Sequence, residues 1–169
     1  MTDLQFYFAY CSRDGITTKN LILKMYFFLL LDKQFIFKYN LNSKGIFSNP
    51  MNSAINEMIA MDFLEVKNGL IYPSQSADRA FENAGMLITE QEKMDKLRDM
   101  LDSLSELELE EGIATHLMIE DYSKKYGWIN FKDYTSDLIK TIQGLYADYN
   151  RKTLNKVIKI INFVEDTEL

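Results

Sequence analysis

A chain of 169 residues with 47% hydrophobic and 13% aromatic content has enough apolar side chains to fill a core, which excludes disorder along its whole length. The single cysteine, Cys11, excludes an internal disulfide and makes a reducing cytoplasmic setting the expectation. The formal net charge of -6 is uneven: residues 1–75 hold seven Lys/Arg against six Asp/Glu, residues 76–169 twelve against nineteen, and Glu90 to Asp121 eleven acids against three bases. That last segment repels phosphate backbones, so any nucleic-acid contact has to come from elsewhere.

The opening has no basic segment leading into an apolar run, so neither a secretory signal nor a transit peptide is expected. The longest apolar run, Met25 to Leu31, is far below the roughly 20 residues that cross a bilayer. A soluble protein with no membrane partner is expected.

In chain order, aromatic-rich Asp3 to Ser12 suits helix or strand equally by periodicity. After Gly15, "TTKNLILKMYFFLLLD" offers Thr17 or Thr18 as an N-cap. Leu21, Leu23, Met25, Phe28 and Leu31 make it a helix nearly buried in the core. "QFIFKYNLN" alternates, with Phe35, Phe37 and Tyr39 on one side and Ile36, Lys38 and Asn40 on the other, which predicts a strand broken at Gly45. The next segment predicts a helix from Asn49 to Asp62, with Asn49 as cap and Pro50 at the first helical position. Ala54, Ile55, Met58, Ile59 and Met61 form its inner face, and Asn52, Ser53, Asn56 and Glu57 lie outward.

"FLEVKNGLIYP" follows directly. Asn68-Gly69 is a strong hairpin signal because a type I′ turn needs positive φ at both central residues. A two-residue loop pairs Lys67 with Leu70, Val66 with Ile71, Glu65 with Tyr72 and Leu64 with Pro73. This register puts Leu64, Val66, Ile71 and Pro73 on the core face and Glu65, Lys67, Leu70 and Tyr72 on the outer one.

Beyond Ser76 the pattern is all-helical. Thr89 and Glu92 stand at capping-box spacing, Met94, Leu97, Leu101 and Leu104 recur at steps of three and four, and Gly112 stops the run. "IATHLMIEDYSKKYG" is a shorter helix ending at Gly127. A further helix is capped by Asn130 or Asp133 and carries Phe131, Tyr134, Leu138, Ile142, Leu145 and Tyr149 on one stripe. The last repeats this through Leu154, Val157, Ile161 and Val164. The expected fold is mostly α with a small β-hairpin: a winged helix-turn-helix-like domain over residues 1–86, and a helical extension over 87–169 that packs on it or on a partner.

Helix, helix, strand, helix and tight hairpin is the order of a winged helix. Over roughly residues 1–85 the runs "TTKNLILKMYFFLLL" and "FKYNLNSKGIFSNPMNSAINEMIAMDFLEVKNGLIYPSQSAD" resemble the YwgA-like and related middle-component proteins of prokaryotic defence and toxin-antitoxin operons. Those proteins have a Lys-rich Leu/Tyr helix, a "YGPFS"-type turn, a helix and a "GxI" wing. Gly45-Ile46-Phe47-Ser48 stands at the turn without its proline. The resemblance implies a winged-helix adaptor, the small subunit between an SMC-like ATPase and an effector in an antiphage complex.

A DNA-reading winged helix needs Lys or Arg near its recognition helix. Asn49 to Asp62 has none and carries Glu57 and Asp62, although Asn52 and Asn56 suit adenine edges. The wing offers Lys67, opposed by Glu65, while Lys19, Lys24, Lys33, Lys38 and Lys44 are scattered. Protein binding needs no such balance, and Asn52, Asn56, Lys67, Leu70 and Tyr72 are the candidate partner-binding residues. The expected function is a non-catalytic adaptor bound to a larger protein; the alternative is a homodimeric DNA-binding regulator.

No catalytic, cofactor or metal site is expected. His116 has no paired Cys or His spacing and reads as a packed or capping residue. Cys11, in an apolar stretch, reads as a buried structural cysteine. Glu106, Glu108, Glu110 and Glu111 read as a solvated acidic face at a helix C-terminus, opposing its dipole. No glycine loop for phosphate is present.

Overall fold

The computed structural model describes residues 1–33, 37–42, 45–84, 88–126, 140, 144 and 150–167. The described residues are mostly helical, with two small antiparallel hairpins. The first helix, α1 (Asp3–Ser12), resolves the ambiguity of the opening segment through a reciprocal cap. Gln5 N–H donates to Thr2 Oγ1 at 3.2 Å, and Thr2 N–H donates to Gln5 Oε1 at 3.0 Å.

Helix α2 (Thr18–Asp32) is capped by Thr17, whose Oγ1 accepts from Asn20 N–H at 3.2 Å. Eight of its side chains are buried, including the consecutive run from Tyr26 to Leu29, so apolar residues surround it almost completely. A helix apolar on all sides must be enclosed by other elements. The chain leaves α2 through Lys33 in the left-handed conformation, with its N–H returning to Leu29 O.

Strands β1 (Asn40–Asn42) and β2 (Gly45–Phe47) form a hairpin that the alternating pattern did not separate. Gly45 does not end a strand; at φ 116° it starts β2, paired with Asn42. Of the alternating set, Tyr39 is buried and Lys38 exposed, while Phe35 and Ile36 lie outside the described residues.

Helix α3 (Asn49–Ala60) begins at the residue expected to cap it, one position earlier than Pro50. Ser48 is the cap, its Oγ accepting from Met51 N–H at 3.2 Å, and Asn49 is already helical. Met51, Ala54, Ile55 and Met58 are buried, and Asn52, Ser53, Asn56 and Glu57 are exposed.

Strands β3 (Leu64–Lys67) and β4 (Leu70–Pro73) pair in the expected register, Leu64 with Pro73 through to Lys67 with Leu70. Asn68 at φ 53° and Gly69 at φ 77° make the turn. Ile16, between α1 and α2, adds a bridge to this hairpin: its N–H donates to Ile71 O at 3.1 Å and its carbonyl accepts the return bond from Ile71 N–H at 2.7 Å.

After Ser74, which caps α4 (Gln75–Asn83), come α5 (Ile88–Asp102) and α6 (Glu106–Tyr126). The expected single helix from Thr89 to Gly112 is broken at Ser103–Ser105, and Thr89 lies inside α5 rather than at its cap. A second capping box starts α6: Glu108 N–H donates to Ser105 Oγ at 3.1 Å, and Ser105 N–H donates to Glu108 Oε1 at 3.2 Å. Gly112 does not stop α6. A Cβ there would lie 3.4 Å from Phe27 Cζ and from Val157 Cγ2, so glycine lets three helices approach closely.

Helix α7 (Arg151–Asp166) is capped by Asn150 and buries Leu154, Val157, Ile161 and Val164, the expected stripe. The expected helix carrying Phe131 to Tyr149, with caps Asn130 and Asp133, falls outside the described residues apart from Lys140 and Gly144. Helices α1, α3, α5, α6 and α7 all contact α2. One buried cluster consequently runs from Phe8 through α2 to Leu97, Leu101, Ile113 and Val164. Among the described residues no helix is long and apolar enough to cross a membrane.

Candidate functional site

The outer face of α3 and the β3–β4 hairpin carry the residues singled out from the sequence. Asn52 and Asn56, one helical turn apart, are exposed on the same face of α3. Lys67 and Leu70 pair across the hairpin next to its turn, Lys67 exposed and Leu70 half-buried. Lys67 Nζ lies 2.9 Å from Glu65 Oε1, so the hairpin's cation is neutralised by its own strand.

Tyr72 is half-buried, with its ring against the backbone of Gly15. A Cβ on Gly15 would come within 2.6 Å of the ring, and Gly15 has φ 86°. The outer hairpin face therefore divides: its base closes on the α1–α2 connection, and its tip faces solvent.

Two expectations fail here in a way that adds to the site. Met61, assigned to the inner face of α3, is 61% exposed, because α3 ends at Ala60 and the turn continues through Asp62 at φ 56°. Val66, assigned to the core face of the hairpin, is 55% exposed, because only the Leu64 end of β3 reaches the core. Phe47 at the end of β2 is 37% exposed. The segment from β2 to β4 thus displays three large apolar side chains beside uncharged amides.

A cleft of about 530 Å³ opens between α1, α2, α4 and α5. Tyr10, Arg13, Lys24, Phe81, Asp95 and Arg98 line it, with Cys11. Each of its cations is matched by acids. Arg13 lies 3.3 Å from Asp78 and 2.9 Å from Glu82, Lys24 lies 2.7 Å from Asp102, and Arg98 lies 3.6 Å from Asp95. Tyr10 donates its hydroxyl to Asp95, and burial with that bond pushes the phenol well above its usual range. Cys11 is half-buried rather than sealed in the core, and burial pushes its thiol up to about 12, so it stays protonated. Nothing short-range in the sequence points to this cleft, since Tyr10 and Asp95 are far apart along the chain.

His116 is packed, as its context indicated, and 2% exposed in α6. Its Nδ1 meets the Tyr26 hydroxyl. Its Nε2 faces Glu165 Oε1 at 3.6 Å and Glu120 Oε1 at 3.7 Å. Both carboxylates stand beyond hydrogen-bond distance, so the ring's close partner is the Tyr26 hydroxyl, which can donate to Nδ1. Burial, reinforced by Glu120 and Glu165, pushes the Tyr26 phenol up and keeps that donor protonated.

The four glutamates expected to form a solvated C-terminal face occupy the first two turns of α6, where their charge complements the helix dipole. Glu110 and Glu111 are buried. Glu110 receives Lys19 of α2, which also lies 3.3 Å from Glu106. Its carboxylate abuts Gly45, where a Cβ would come within 2.5 Å of Oε2. Burial raises the Glu108 carboxyl, but the Ser105 N–H and Lys156 outweigh it and hold the group below the usual carboxylate range.

Comparison with known protein families, with curated proteins and with solved structures returned no match to this chain.

Proposed function

We propose that this chain is a non-catalytic winged-helix adaptor that docks on a larger protein subunit through the outer face of α3 and the tip of the β3–β4 hairpin. The observation that carries this reading is the make-up of that face. Asn52, Ser53, Asn56 and Glu57 are exposed on a helix with no Lys or Arg, Met61 and Val66 are exposed beside them, and Lys67 is paired with Glu65. Duplex DNA would meet no unpaired cation there. Exposed Met, Val and amide side chains instead suit an interface that buries apolar area within a polar rim.

The order of elements supports the winged-helix part. In that architecture the segment between the first two helices pairs with the closing hairpin, and here Ile16 bridges to Ile71. The resemblance of residues 1–85 to middle-component proteins supports a place in a prokaryotic antiphage complex with an SMC-like ATPase or effector.

Affinity purification of the tagged full chain from its native host tests this. A larger subunit recovered at near-stoichiometric level is expected, and Val66→Asp with Met61→Asp should weaken the complex at least about tenfold, the scale of an interface hot spot. Both side chains are exposed, so the fold should tolerate the change. Recovery of no such subunit, or equal recovery with the double variant, overturns the reading.

A further inference from the structure

Helix α7 presents a different surface. Arg151, Lys152, Asn155, Lys159 and Asn162 are all exposed, and Thr153, Leu154, Val157, Ile160, Ile161 and Val164 are buried. At about 100° per residue the five exposed side chains fall within an arc of roughly 100°, and the three cations span about 12 Å along the axis. The face also ends within reach of acids: Asp166 falls on the same arc one turn beyond Asn162, and Glu165 is exposed next to it. Lys156, at the edge of the arc, is held 3.5 Å from Glu108.

Many cations among the described residues are engaged. Arg13, Lys19, Lys24, Lys67, Arg98 and Lys156 all pair with carboxylates, Lys33 donates to the carbonyls of Glu165 and Thr167, and Lys96 lies over the Phe163 ring. Arg151, Lys152 and Lys159 have no ion-pair partner among the described residues. They concentrate positive charge on one face of a chain whose net charge is -6.

We infer that the exposed face of α7 is a nucleic-acid contact, with Arg151, Lys152 and Lys159 on the phosphates of a duplex, and Asn155 between them and Asn162 beyond Lys159 as amide donors. A duplex carries one phosphate per ~1.7 Å of axis, so cations spread over an arc of roughly 100° and about 12 Å of helix reach several phosphates. A membrane surface fits poorly, because the face has no exposed apolar residue to insert. Among the described residues the main neighbours of α7 are α2, α5 and α6, whereas those of the β3–β4 hairpin are α1, α3 and α4. Protein docking at the hairpin and duplex docking at α7 therefore use separate surfaces, and each stands or falls without the other.

Fluorescence anisotropy of the full chain with a labelled DNA duplex, over a salt series, tests the site. Three phosphate contacts give a slope of log K against log salt near about -2.7, a loss of roughly 40-fold between about 50 and 200 mM salt. Lys152→Gln with Lys159→Gln should flatten the slope to about -0.9, and glutamine keeps the helix propensity of lysine. Circular dichroism of the double variant confirms that α7 remains folded. No binding at low salt, or an unchanged slope in the double variant, overturns the inference. So does equal or tighter binding to vesicles of anionic lipid or to a polyglutamate peptide, which would assign the stripe to a lipid or an acidic protein surface.

Discussion

His116 is held by two kinds of partner, a phenol on one nitrogen and two carboxylates near the other, drawn from α2, α6 and α7. Tyr26→Phe removes the donor and leaves Nδ1 buried without its bond, so unfolding free energy should fall by about 1–3 kcal/mol in urea titration. Gly15→Ala forces a side chain into positive φ and against the Tyr72 ring, and should cost more than about 1 kcal/mol. In a double-mutant cycle, Tyr72→Ala should recover part of that cost, the part due to collision, and leave the backbone part in place. At this scale the sequence was informative where chemistry is local. Asn68-Gly69 specified a turn and a register that the hairpin adopts in full. Met61 and Val66 were misassigned because strand or helix alternation tells which side a residue lies on, not how far the core extends beneath it.

Between α5 and α6, the Leu97, Leu101, Leu104 spacing concealed a helix break. Periodic leucines continue across a tight turn when both helices bury the same side, so hydrophobic spacing alone does not register Ser103–Ser105. The signal was present in "SELE", where Ser105 and Glu108 form a capping box. Ser105→Ala should lower stability by about 1 kcal/mol. Because the folded Glu108 carboxyl sits below its unfolded value, its contribution is present above the unfolded pKa and is lost as pH falls through the folded one. Glu108→Gln should therefore be less stable than the parent at neutral pH, and the two urea midpoints should converge in acid. Gly112 misled in the opposite direction: a glycine among helix formers reads as a stop, yet here it is the contact point of α2, α6 and α7. The β1–β2 hairpin escaped notice because Gly45, needed for positive φ beside Glu110, reads as a breaker. The outward position of Asn52 and Asn56 was legible from the 3.6-residue period, whereas the cleft between α1 and α5 depends on packing between distant segments and has no local trace.

Across the whole molecule, α2 is the shared surface: α1 and α3 lie against it from the N-terminal half, and α5, α6 and α7 from the C-terminal half. A chain cut after residue 86 would uncover the side of α2 that carries Phe27 and Tyr26. Such a fragment should bind a hydrophobic dye and self-associate, which light scattering beside the full chain would reveal.

The enclosure of α2 also sets a timescale. Its amides are hydrogen-bonded within a helix that has almost no solvent-facing side, so they should exchange with deuterium only when the whole chain opens. The hairpin tip, exposed at Val66 and Lys67, should exchange through local fraying. One exchange experiment then reads two quantities from one sample. Protection along α2 reports global stability, and protection gained at the hairpin alone on adding a partner locates where that partner sits.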